Sequence, residues 1–348
     1  MIVAAGPSLP KRDGKPTPTP TFHPGDRVIA FAHGLSSKDS ANSAFQTYVV
    51  VKANATVLLP DRLTFAQGAT IPTAVGTAFM SLADVFGLPL SSFFPTTTTT
   101  TTTTAAATDL KSKEEKENEK AILIWGASSS GVGTMALQLA RKAGFATILA
   151  TASPHQHARL LSLGATAVAD YRSSPAEAVD QLLLAAAAAA GTGTNKKVVV
   201  GYAVDAISTP DTLPFVVDLL RRSNVDVTPG EGEREGEGEG ESEKKKEEKK
   251  MVISHTLPWP ETVPKPEGIE ARQVHGDDLW VRREDLCEWL YGEALPFWLM
   301  ATGKGEGEGG GGLVLSPERV VGKGVDAIQA GLDELRKGVS GEKLVVEI

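Results

Sequence analysis

Residues 121–144 read AILIWGASSSGVGTMALQLARKAG, and their types and spacing suit the binding of a phosphate group. An apolar run, Ala121 to Trp125, has the character of a buried strand. It enters a turn of small residues, Gly126 to Gly133, with Ser128, Ser129 and Ser130 at its centre. A helix follows, with Met135, Leu137, Leu139 and Ala140 on its apolar side. Small residues let the backbone approach a pyrophosphate, and the helix start offers free N–H groups and a positive dipole end. Gly133 lets that helix lie close to the strand. Gly126, Gly131 and Gly133 do not form a strict G-x-G-x-x-G, so the strand–turn–helix context carries the reading. The bland counterpart is a plain βα turn of some other α/β protein.

The next strand ends at Thr151-Ala152-Ser153. A site built for a ribose 2′-hydroxyl usually places Asp or Glu there. Residues 145–169 contain no acidic residue and offer Ser153, His155, His157 and Arg159 instead. Without a carboxylate there is no repulsion toward a 2′-phosphate, and hydroxyl, imidazole and guanidinium groups add donors. The expected cofactor is therefore NADP(H). Ser153 and His155 are the better placed. His157 and Arg159 read also as solvated helix surface.

These residues need a scaffold. The chain has 348 residues, 41% hydrophobic and 22% charged, which is ordinary globular usage for about two domains. A net charge of −8 argues against an electrostatic grip on nucleic acid or an anionic membrane. The single cysteine, Cys287, excludes an intramolecular disulfide framework and a multi-cysteine zinc lobe. No apolar run is long enough to span a bilayer, and the apolar part of MIVAAGPSLPKRDG is too short for a secretory signal. The expectation is a soluble cytoplasmic protein.

Three segments are compositionally foreign: 96–120 (threonine, then mixed charge), 230–250 (Gly, Glu, Lys) and 303–312 (glycine-rich). Lacking apolar periodicity, they read as disordered loop insertions. Residues 21–70 read as a small β unit: a turn at Pro24-Gly25-Asp26, a strand in RVIAFA, and strands over Gln46–Val51 and Thr56–Leu59. Residues 121–290 alternate apolar runs with helical stretches, which predicts a parallel sheet covered on both faces. The run Leu182 to Ala190 extends a surface helix, and the tail holds a helix, VDAIQAGLDELRKG, and a final strand, KLVVEI.

With these motifs assembled, the chain resembles a medium-chain dehydrogenase/reductase of the zinc-free enoyl reductase and quinone oxidoreductase branch, with closest likeness to fungal trans-acting enoyl reductases. The stretches that carry the resemblance are HPGDRVIAFAHG, FQTYVVVKANATVLLPDRLTFAQGATIPTAVGTAFMSL, the phosphate turn, TASPHQHARLLSLGATAVADYRS, AVDAISTPDT, LPWPE and VSGEKLVVEI. The resemblance implies an α/β fold: a Rossmann-type doubly wound parallel sheet plus a partial GroES-like β-rich catalytic domain. Its boundaries would be 1–75 for the catalytic part, 76–295 for the NADP-binding domain and 296–348 for the return to the catalytic part.

It also implies roles. Ser128, Ser129, Ser130, Gly131 and Val132 match the pyrophosphate loop. Ser153, Pro154, His155, Gln156 and Tyr171 match the surroundings of the adenosine 2′-phosphate. Thr256, Leu257, Val339 and Ser340 match further cofactor contacts. Thr73, Gly76 and Thr77, with Val274, His275 and Gly276, match the nicotinamide and substrate side. The family's catalytic domain is longer at its front: MIVAAGPSLP resembles an internal strand, and residues 7–23 look lengthened.

No catalytic side chain is nominated. Tyr48 reads as a packing residue on a strand, Cys287 as core, and His23 and His33 lack the third partner that a zinc site needs. The function implied is zinc-independent, NADPH-dependent reduction of an activated C=C bond in an enoyl thioester, enone or quinone. Alternatives are a catalytically silent NADP-binding remnant and alcohol or aldehyde chemistry. An acyl carrier or polyketide synthase is the implied partner, nucleic acid and membrane are not, and the chain would be a monomer or homodimer.

Overall fold

The computed structural model describes residues 4, 22–94, 120–128, 131–172, 174–189, 199–224, 251–302 and 311–348. The segments 96–119, 230–250 and 303–310, most of the N-terminal stretch before residue 22, and Ser129 and Ser130 lie outside the described residues.

The β unit is small. Strand β1 (Val28–Ala30) pairs antiparallel with β2 (Thr56–Leu58). Gln46–Val51, expected as a strand, is not one. The Gln46 amide donates to the carbonyls of Ser40, Ala41 and Ser43, and Val50 N–H donates to Ala41 O. Those bonds wrap the segment round a short turn and leave no ladder to join. Tyr48 is therefore 71% exposed rather than packed.

Helix α1 (Ile71–Met80) leads out of this unit and runs unbroken through residues 75 and 76. A capping box at Thr64 and Gln67 starts the short helix before it, and Pro72 occupies its first turn. All of α1 except Thr73 is buried.

The main sheet has six parallel strands: β3 (Lys120–Trp125), β4 (Thr147–Thr151), β5 (Ala167–Ala169), β6 (Val199–Asp205), β7 (Met251–His255) and β8 (Ile269–Gln273). Their order is β5-β4-β3-β6-β7-β8. The chain moves outward from β3 and then returns to its other side, so the order reverses there, which is where open α/β sheets bind ligands. Central strands buried on both faces read as continuous apolar runs. In β3, Ile122 and Ile124 enter one apolar cluster while Ala121, Leu123 and Trp125 enter the other.

Helices α2 (Gly131–Lys142), α3 (His157–Ser162), α4 (Pro175–Ala189) and α5 (Leu213–Asn224) connect the strands. Within α4, Leu182 and Ala186 are buried and Leu184 is exposed, so the alanine run extends a helix with one face on the core. Beyond the sheet come α6 (Glu284–Trp289) and α7 (Leu295–Ala301). Strands β9 (Glu318–Lys323) and β10 (Lys343–Glu347) pair in parallel, with α8 (Ala327–Arg336) between them. Among the described residues no helix is long and apolar enough to cross a membrane.

The third foreign segment ends earlier than expected. Gly311 is buried and its carbonyl accepts from Lys142 Nζ at 2.7 Å. A Cβ at Gly312 would lie 2.6 Å from Ala301 backbone, so glycine here serves close packing.

Trp125 is fully buried, between Phe215, stacked at 6.4 Å, and Tyr171 at 5.9 Å. Replacing it by alanine should cost about 3–5 kcal/mol, read from urea unfolding followed by circular dichroism. A loss below about 1 kcal/mol would contradict this account of the core.

Candidate functional site

The site begins where β3 ends. Gly126 adopts a φ of +74°, and its N–H donates to Thr151 Oγ1 at 2.8 Å. Ala127 N–H donates to Thr151 O, and Thr134 Oγ1 donates to Ala127 O at 2.9 Å. These bonds tie the turn to β4 on one side and to α2 on the other. A Cβ at Gly133 would lie 2.5 Å from Gly126 O, so only glycine allows α2 to sit this close. Ser128 is buried, Gly131 opens α2, and Val132 is half-buried.

Gly131 is also where distant segments meet. A Cβ there would lie 2.9 Å from Ala74 Cβ in α1 and 2.7 Å from Lys343 Cε at the start of β10. Lys343 Nζ would be 3.2 Å away. Burial lowers the Lys343 pKa, and no carboxylate pairs with it among the described residues. A cation drawn out of water at a helix N-terminus, without a protein anion, suits a bound phosphate. The sequence reading did not single out Lys343. Its signal was a lysine at the head of KLVVEI, and nothing local says which loop it meets.

The second group lies beyond β4. Ser153 is buried and begins the 3-10 turn Pro154–Gln156, on which Pro154 and His155 are exposed. Gly341, at φ +76°, packs against the Gln156 amide so closely that a Cβ would overlap it. Val339 and Ser340 therefore lie in a loop beside the Ser153–Gln156 turn. His157 and Arg159 turn away: His157 Nε2 pairs with Ala152 O at 3.0 Å, and Arg159 donates to Leu315 O at 3.4 Å. Arg159 is half-buried rather than solvated surface, and burial lowers its pKa. Tyr171 rests its ring on Trp125, and burial raises its pKa.

The third group lies at the ends of β6, β7 and β8. Asp205 is fully buried, accepts from the N–H groups of Ile207 (2.9 Å) and Ser208 (2.8 Å), and receives Thr212 Oγ1 at 3.5 Å. Thr256 N–H donates to Ser208 Oγ at 2.9 Å, which fixes the end of β7 to this turn. Leu257 is exposed, and its carbonyl pairs with His255 Nδ1 at 2.7 Å. Val274 is buried, its N–H bonded to His255 O, and His275 is exposed. Gly276 abuts Thr77, since a Cβ would lie 2.5 Å from Thr77 Oγ1. Gly76 abuts Trp280 in the same way, at 3.3 Å, whereas Thr73 is exposed.

This third group is held by charge. Asp84, just past α1, pairs with Arg272 of β8 at 3.3 Å and with Arg283 beyond the loop. A polar cavity of about 300 Å³ lies here, lined by Asp84, Arg272, His275, Asp278 and Arg282. A larger cavity of about 740 Å³ follows β2 and α7 and shares no lining residue with the three groups. Among the described residues no three His, Cys, Asp or Glu side chains gather as metal ligands. Cys287 is buried, donates to Asn54 O at 3.5 Å, and burial pushes its thiol up to about 12.

Known proteins resemble this chain. The chain is 31% identical over 350 residues to the dehydrogenase azaJ of Aspergillus niger, covering all of this chain and 79% of that protein. It is 31% identical over 329 residues to the trans-enoyl reductase tndF of Aspergillus flavipes, covering 93% and 76%. The chain belongs to the medium-chain dehydrogenase/reductase superfamily, in its fungal enoyl reductase-like group. It is an oxidoreductase. The CurK enoyl reductase shares the fold with a TM-score of 0.54 at 15% identity, covering 94% of this chain and 74% of that one. YhdH of E. coli K-12, solved with bound NADPH, aligns with a TM-score of 0.50 at 16% identity over 93% and 76%. No protein-family model matches the chain.

Burial pushes the Asp205 carboxyl up to about 6, opposed in part by its hydrogen bonds. The folded state therefore holds this proton to higher pH than the unfolded chain does, so ionised Asp205 costs stability above pH 6 and nothing below about pH 4. D205N keeps an acceptor for the two N–H groups and carries no charge. Its unfolding free energy relative to the parent should rise by up to about 3 kcal/mol between pH 4 and pH 7.5, measured by urea unfolding at each pH. A difference that stays flat or falls would contradict the buried, raised carboxyl.

Proposed function

We propose that this reductase uses NADP(H) to reduce an activated C=C bond in an enoyl thioester, enone or quinone, without zinc. The observation that carries the reading is the meeting at Gly131 of the turn after β3, α1 and Lys343, which has no carboxylate partner among the described residues. The residues present fit a dinucleotide. The start of α2 and Lys343 would take the pyrophosphate, and Ser153, His155 and Gln156, with no carboxylate on their stretch, would face a 2′-phosphate. Ser129 and Ser130, and the contacts of Val339 and Ser340 with a ligand, are part of this proposal. Thr256 and Leu257 at the end of β7 would flank the nicotinamide, and Thr77, Val274 and Gly276 would line its other side.

A bound dihydronicotinamide supplies a hydride. The chain's part is to orient it, to exclude water along α1, and to offer donors to the oxygen on which charge develops. Solvent can return the proton at the α-carbon, so no acidic side chain is required. A relative named as the enoyl reductase component of lovastatin nonaketide synthase, lovC of Aspergillus terreus, is 27% identical over 334 residues. That name supports an acyl thioester on a polyketide-type carrier as substrate.

NADPH should quench tryptophan fluorescence and raise the melting temperature, and NADH should bind at least about tenfold more weakly. K343M should raise the Kd for NADPH by about tenfold, the loss of one charge-assisted phosphate contact. NADPH oxidation followed by absorbance with crotonyl-CoA or a quinone tests the chemistry. Absence of any NADPH binding would sink the cofactor reading; binding without oxidation by any of these acceptors would favour a silent binding protein.

A further inference from the structure

A pair of hydroxyls lies between α1 and the sheet in otherwise apolar surroundings. Ser254 of β7 and Ser81, the residue after α1, are both fully buried. Ser254 Oγ donates to Ser81 Oγ at 2.9 Å, and Ser81 Oγ donates to Thr77 O at 3.0 Å. Ala78, Leu82, Val252 and Ile253, close to them in the chain, are apolar and at most 1% exposed. An apolar contact between a helix and a sheet tolerates small slides, whereas two buried hydroxyls satisfy each other in one register only. The helix also changes form at this residue. Phe86 N–H donates to Ser81 O at 3.1 Å, an i→i+5 bond, so Ser81–Val85 forms one wide π turn, a feature frequent at functional sites. That turn brings Asp84 to Arg272 and Arg283. On the sheet side, Ser254 stands two residues before Thr256, whose N–H donates to Ser208 Oγ at 2.9 Å. The chain from Thr77 O through Ser81 to Ser254 therefore ties α1 to β7 close to Thr77 and Thr256.

We propose that Ser81 and Ser254 are positioning residues: their hydrogen bond sets how far Thr77 of α1 stands from Thr256 of β7. The inference rests on the reading above, in which these two threonines line the two sides of the nicotinamide. Both serines are fully buried, so they act through the elements that carry the threonines. Ser81 bonds back to the carbonyl of Thr77, so a shift at Ser81 reaches Thr77 within one turn. The front of α1 is pinned separately, by Ala74 against Gly131. The helix is thus fixed at two points, one at the pyrophosphate end of the proposed site and one at the nicotinamide end. Loss of the serine pair leaves the first point intact and lets the Thr77 end slide on β7.

Three variants of the full chain test this: S81A, S254A and the double variant S81A/S254A. S81A strands the Ser254 hydroxyl and should lower the melting temperature, whereas S254A leaves Ser81 bonded to Thr77 O and should lower it less. The double variant strands no hydroxyl and should recover most of the loss, so the melting temperature reads packing alone. Positioning is read from bound NADPH, whose nicotinamide fluorescence rises when the ring is held. In all three variants that enhancement should fall by about half or more, while the Kd for 2′,5′-ADP, which lacks the nicotinamide, should stay within about twofold. The kcat for NADPH-dependent crotonyl-CoA reduction should fall by about 10- to 100-fold, with the KM for crotonyl-CoA changed by less than about threefold. The double variant carries the test should a single variant fail to fold. A double variant with parental nicotinamide fluorescence and parental kcat overturns the positioning role and leaves the reductase reading standing. A parent chain that shows no enhancement on binding NADPH overturns the placement of the nicotinamide between Thr77 and Thr256, and the positioning role falls with it.

Discussion

At Gly131 three parts of the chain come within the width of one methyl group. The turn after β3 ends there, α1 presents Ala74, and β10 presents Lys343. Any side chain at this position would push α2 off α1 or drive the lysine away. The close approach links the β unit, the parallel sheet and the C-terminal strand pair at a single point. A desolvated ammonium stands there beside the start of a helix, and no carboxylate pairs with it among the described residues.

The ends of β6, β7 and β8 are organised by a different force. Asp84 draws Arg272 and Arg283 to the end of α1, and these pairs hold the loop that carries Val274–Gly276 and Trp280 against Gly76 and Thr77. All three side chains are partly exposed, so the pairs matter for geometry more than for stability. The apolar weight is carried by aromatic contacts. Phe31 from the β unit stacks on Trp280, and Tyr291 meets Trp280 edge-on at 6.2 Å. Charge thus sets where the loop docks, and stacking joins it to the β unit.

The strand–turn–helix around Gly126–Gly133 was legible because each of its signals is local: apolar run, small residues, amphipathic helix. The same holds for β4 and β6 and for the tail helix and strand. Gln46–Val51 failed because β-branched and aromatic residues suit a strand only where a neighbour accepts the ladder, and the Gln46 amide satisfies the carbonyls first. Arg159 escaped a clear reading because its partner, Leu315 O, lies 156 residues away. Gly311 and Gly312 carried the composition of the glycine-rich run, but their partners, Lys142 and Ala301, come from two separate helices.

The sequence by itself determined the fold class, the strand and helix on either side of the Gly126–Gly133 turn and the want of an acidic residue near the end of β4, since periodicity, turn chemistry and charge are written within a few residues of one another. Only the tertiary structure decided that Lys343 reaches Gly131, that Gln156 meets Gly341, and that Trp280 lies on Gly76. Those facts depend on close approaches between segments far apart in the chain. Such approaches follow from how whole elements pack, and no local pattern of residues records them.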